Sequence, residues 1–126
     1  MKDDNNFELC EAICRLEKNI LGSALIEKGK MIAGFSKPGV PIPNEDRFKN
    51  ILFQIEIISG IHKGNEDFYG KLKYHTVQYE DSSLFMFLID RYGSKKQAIL
   101  AFKIVRPYDH DEVAIKVEEY LKRAFD

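Results

Sequence analysis

The chain has 126 residues, 44% of them apolar and 31% charged, with 19 Lys+Arg against 20 Asp+Glu and a net charge of -1. That balance belongs to a globular chain, long enough to bury a core over residues 1–126 as one unit, and not to a disordered one. It lacks the basic excess of proteins that grip phosphate backbones, and no apolar run approaches the ~20 residues that cross a bilayer.

Met1-Lys2-Asp3-Asp4 has no apolar core of a signal peptide, so a cytoplasmic protein is expected, with no nucleic acid and no membrane among its partners. Residues 6–18 read as an amphipathic helix: Leu9, Ile13, Leu16 and Ile20 recur at helical spacing, with Cys10 and Cys14 beside them. Asn5 and Glu8 form a candidate capping box at its start. The period then changes, and Ser23 to Glu27 and Met31 to Phe35 are β-prone runs joined through Lys28-Gly29-Lys30, which predicts a hairpin.

Pro38, Pro41 and Pro43 forbid helix and central strand alike, so this stretch is an extended surface connection. Asn44 caps the next helix, which runs to Ile61 with Glu45 and Asp46 in its first turn. It carries Phe48, Ile51, Leu52, Phe53, Ile55, Ile57, Ile58 and Ile61, more than one buried face requires. Lys63 to Asp67 is a polar loop, and Lys71 to Glu80 mixes polar and apolar residues as an edge strand does. Ser83 to Asp90 and Gln97 to Val105 are near-continuous apolar runs, the mark of strands covered on both faces, joined by a turn at Arg91 to Lys96. Asp109 and Glu112 open a last helix whose buried stripe is Val113, Val117, Tyr120, Leu121 and Ala124. The order α-β-β-α-β-β-β-α defines an α+β fold: a five-stranded antiparallel sheet with the terminal helices on one face and the middle helix on the other.

Chemistry is sparse. Cys10 and Cys14 lie one helical turn apart, but His62, His75 and His110 fall on a helix end, a strand and a cap, which assembles no four-ligand zinc site. Buried free cysteines behave as small hydrophobes. The glycines are single and spread out, so no phosphate-cradling loop forms. No enzymatic activity and no cofactor are expected, and the basic residues Lys28, Lys30, Arg91, Lys95 and Lys96 read as charged turns. The middle helix is the anomaly. Its second apolar face needs a cover, either a second copy of the chain or the Pro38 to Pro43 connection with Phe68 and Tyr69.

The hairpin Ala24-Leu25-Ile26-Glu27-Lys28-Gly29-Lys30-Met31-Ile32-Ala33, followed by a helix and by strands ending in Leu84 to Ile89 and Ala98 to Phe102, resembles the roadblock/dynein-light-chain domain. The resemblance implies a profilin-like sandwich, a homo- or heterodimer made by the middle helix and the strand after it, with a homodimer expected here, and a regulatory or scaffolding role toward small GTPases or motors. On this sequence it places the interface at Phe48, Ile51, Leu52, Ile55 and Ile58, with Tyr74 and His75 on the strand. A PAS-like sensor holding a small ligand between helices and sheet is the alternative, because its strands run in the same two-plus-three order.

Overall fold

In the computed structural model, which describes residues 3–93 and 97–125, the chain runs α1 (Asp3–Leu16), β1 (Ile20–Glu27), β2 (Lys30–Ser36), α2 (Glu45–Lys63), a single turn α3 (Glu66–Tyr69), β3 (Tyr74–Gln78), β4 (Ser82–Leu88), β5 (Ile99–Val105) and α4 (His110–Ala124). A 3-10 turn, Ile89–Tyr92, follows β4. The strands form one antiparallel sheet in the order β2-β1-β5-β4-β3. The last strand in sequence is therefore central in space, with Leu100 opposite Leu25 on one side and opposite Phe87 on the other.

Two apolar layers sandwich this sheet. On one face α1 and α4 bring Cys10, Ile13, Val113, Val117 and Leu121 onto Leu25, Phe85, Phe87, Leu100 and Phe102. The aromatic rings stack as they follow the pleat: Phe85 lies 5.0 Å from Phe102, and Tyr74 lies 4.7 Å from Phe87. On the other face α2 lays Leu52 and Ile55 over Ile26, Met86, Leu88, Ile99 and Ala101. The alternation along β4 and β5 assigns each residue to one layer, and the near-continuous apolar runs arise because both layers are filled.

The expected arrangement holds, with differences at its joints. Helix α1 is already formed at Asp3, so Asn5 lies inside it and not at a cap. The expected loop Lys63 to Asp67 is shorter, because α2 continues to Lys63 and α3 begins at Glu66. The edge strand shrinks to five residues at β3: Gly70 turns the chain at φ +92, and Glu66 Oε2 accepts the Leu72 N–H at 2.7 Å, holding the approach outside the ladder. The Arg91 to Lys96 turn opens as the 3-10 turn ending at Gly93 (φ +98), while Lys95 and Lys96 lie outside the described residues. Asn44 and Asp109 cap as expected, accepting the Arg47 and Glu112 amides at 2.9 and 3.0 Å.

Candidate interaction surface

The face of α2 is set by which of its isoleucines the sheet accepts. Leu52, Ile55 and Ser59 recur at near-helical spacing and are buried, with Phe48 and Ile51 half-buried beside them. The remaining apolar positions then turn outward: Phe53, Ile57 and Ile61 are spaced by four, and they are 60%, 45% and 63% exposed. Ile58, 38% exposed, extends the stripe toward β3. Phe68 and Tyr69 of α3 stand further along, stacked edge to face at 4.8 Å and both exposed. A surface helix needs one apolar stripe; this one has two.

The helix is pinned so that its outer stripe has a fixed direction. Glu56 Oε1 accepts the Gly29 N–H at 2.8 Å, tying α2 to the β1–β2 hairpin tip. Lys63 Nζ donates to Asp90 Oδ2 at 2.8 Å, tying its last turn to the 3-10 segment. Toward the sheet edge, Ser59 Oγ and His75 Nε2 share a 2.8 Å hydrogen bond, and the His62 ring lies 5.8 Å from that of His75. Burial first, then the neighbouring His62, push His75 below the usual imidazole range.

Strand β3 is one edge of the sheet: among the described residues it pairs only with β4, from Tyr74 opposite Phe87 to Gln78 opposite Ser83. Its other side presents unpaired backbone groups, a template for a further strand. The opposite edge, β2, is interrupted by a bulge at Ile32, where the register slips against Leu25 and Ile26, and a bulge twists an edge out of line for pairing.

The residues expected at an interface divide accordingly. Leu52 and Ile55, 6% and 7% exposed, are spent on the molecule's own core, with Phe48 and Ile51 packed against them. Ile58 reaches the outer surface. Tyr74 and His75 are adjacent on one strand and so face opposite layers. Tyr74 stacks under α4, its hydroxyl 3.0 Å from His110 Nε2, whereas His75 lies on the α2 side. The stripe Phe53–Ile57–Ile61 is absent from that expectation, although its spacing by fours is visible in the sequence. Ser59 is absent too; a serine among isoleucines gives no sign that it will meet a histidine 16 residues on.

No catalytic constellation accompanies this surface among the described residues. Cys10 and Cys14 are fully buried, and burial pushes the Cys10 thiol up to about 11. No group of three or more His, Cys, Asp or Glu side chains converges to hold a metal among the described residues. Buried side chains pack the helices against both faces of the sheet. A groove of about 490 Å³ runs between the last turns of α2 and the sheet, lined by Glu27, Lys28, Glu56 and Lys63 at its rim and by Ser59, Leu88 and Ile99 among others, and its wall is more apolar than polar. No helix of the described residues is long and apolar enough to cross a membrane.

Sandwich, strand order and middle helix together are those of a roadblock/LC7-type domain. Among solved structures the chain is similar to MglB of Myxococcus xanthus (TM-score 0.75, 12% identity, 98% of this chain and 87% of that one). It is likewise similar to the gliding protein MglB of Thermus thermophilus (0.74, 14%, 97% and 86%) and to a roadblock/LC7 domain from Streptomyces avermitilis (0.70, 11%, 93% and 92%). No protein-family model and no curated protein matches the sequence. At these identities the likeness is one of fold.

Proposed function

We propose that the chain is a non-enzymatic interaction module that pairs with a second copy of itself through the outer stripe of α2 and the free edge of β3. The observation that carries this is the exposure of Phe53, Ile57, Ile58 and Ile61 on a helix already satisfied by the sheet below it. Contiguous apolar surface of this kind is uncommon on monomers and ordinary at homodimer interfaces. A two-fold arrangement would set stripe on stripe and let two β3 strands pair edge to edge, closing the open ladder of both sheets. The solved MglB with a tetrameric arrangement supports self-association as a habit of the fold. The paired module then offers its remaining surface to a regulated protein, a small GTPase being the partner class that the roadblock likeness suggests.

Light scattering and sedimentation at micromolar concentration test the pairing. The expected result is twice the chain mass, falling to a monomer in Ile57→Asp/Ile61→Asp with an unchanged circular dichroism spectrum. A monomeric unmodified protein overturns the proposal.

A further inference from the structure

Two of the three histidines of the chain meet where α2 passes β3. His75 points from the strand to the α2 side and is held by Ser59, itself 1% exposed. His62 lies one position before the end of α2, exposed, with its ring tilted 48° to that of His75. The surroundings offer no countercharge. From α2 the nearest cation, Lys63, is already occupied by Asp90 at 2.8 Å. From β4 the residue opposite His75 is Met86. From the segment before β3 come Leu72, apolar, and Glu66, whose carboxylate is engaged by the Leu72 amide. Lys73 is paired with Glu118 of α4, on the opposite face. No carboxylate is bonded to either imidazole among the described residues.

A neutral pair fits this corner; a charged pair does not. Protonating one ring puts a cation beside buried Ser59 and the apolar layer, and protonating both sets like charges against each other. The corner is also the seam between the two halves of the proposed pairing surface, with Ile58 and Ile61 on one side and the β3 edge on the other.

We propose that His62 and His75 form a proton-operated latch: neutral, they hold α2 against β3, and on acidification they part and withdraw the pairing surface. The first half concerns the chain alone; the second rests on the self-association proposed above. The sign follows from burial. His75 binds a proton less readily closed than open, so the open form takes up protons first, and closure weakens as pH falls below the ordinary imidazole value of 6.5.

The test is amide hydrogen exchange of β3 and of the last turn of α2 at pH 7.5 and 5.0, corrected for intrinsic exchange, alongside sedimentation at the same pH values. In the unmodified protein, protection at this corner and self-affinity should each fall between pH 7.5 and pH 5.0, because the open form takes up a proton more readily than the closed one. His75→Gln, which keeps a hydrogen-bonding group for Ser59, should show no such response, and exposed His62→Gln should show a reduced one. Equal corrected protection at both pH values, or an undiminished response in His75→Gln, overturns the latch. A protein monomeric throughout whose corner still responds as stated overturns the self-association and supports the latch.

Discussion

Ser23 shows how a single hydroxyl ties a helix to a strand. Its Oγ donates to the Cys10 carbonyl at 2.7 Å and accepts from the Cys14 thiol at 3.6 Å, closing a buried polar corner between α1 and β1. Ser23→Ala leaves a buried carbonyl and a thiol short of partners, and urea titration should register a loss of about 1–2 kcal/mol. Because burial raises the Cys10 thiol from 9.0 to about 11, it stays protonated in the folded state, and neither cysteine should react with a disulfide reagent at pH 8 until denaturant is added. The unfolded thiol ionises first, so the same burial makes stability decline as pH climbs from 9 toward 11. Lys28 is a residue of the opposite kind. Between paired Glu27 and Lys30, Lys28 and Gly29 take φ of +54 and +77, as a two-residue type I′ turn requires. Glycine bears that conformation freely and lysine does not. Lys28→Asn should therefore raise stability, by roughly 0.5–1 kcal/mol in the same titration.

At the scale of elements, legibility follows the uniqueness of the period. Strands β4 and β5 are plain in the sequence because a run such as Leu84 to Ile89 is apolar on both faces whatever the register. Helix α4 is plain because one stripe leaves one way to dock: Val113, Val117 and Leu121 are fully buried, although Tyr120 at its margin is half-buried and Ala124 in the last turn is exposed. Helix α2 is legible as a helix and as two-faced, yet its phase is not. Apolar residues circle most of its girth, and only the sheet decides that Leu52 and Ile55 go in while Ile57 and Ile61 go out. An expectation centred on Leu52 and Ile55 therefore names the wall that the core already uses. Tyr74 and His75 are neighbours on a strand and so face opposite layers, and only the folded sheet says which goes to the α4 side and which to the α2 side. Short elements escape the sequence for another reason: α3 is a single turn held by the Phe68, Tyr69 and Gly70 amides donating back to Asn65 and Glu66, with no side-chain periodicity to announce it.

For the whole molecule, the two faces of α2 give a clean separation of folding from assembly. Leu52→Asp buries an unpaired carboxylate in the layer under α2 and should abolish cooperative unfolding. Ile57→Asp, at an exposed position, should leave thermal unfolding of dilute protein nearly unchanged while altering mass in solution. The sheet order has a further consequence, in the time in which the chain is made. β1–β2 and β3–β4 are each formed from neighbouring sequence, but within the sheet it is β5, synthesised after both, that hydrogen-bonds to each pair. A nascent chain that has reached Gln97 holds two half-sheets, each with its inner edge bare, and the aromatic face of β3–β4 still lacks α4. Commitment to the fold is deferred until Val105 has left the ribosome. A fragment of residues 1–97 should accordingly be unprotected in hydrogen exchange and recover protection when a peptide of residues 98–126 is supplied. The strand that arrives last is the keystone, and every earlier element waits for it.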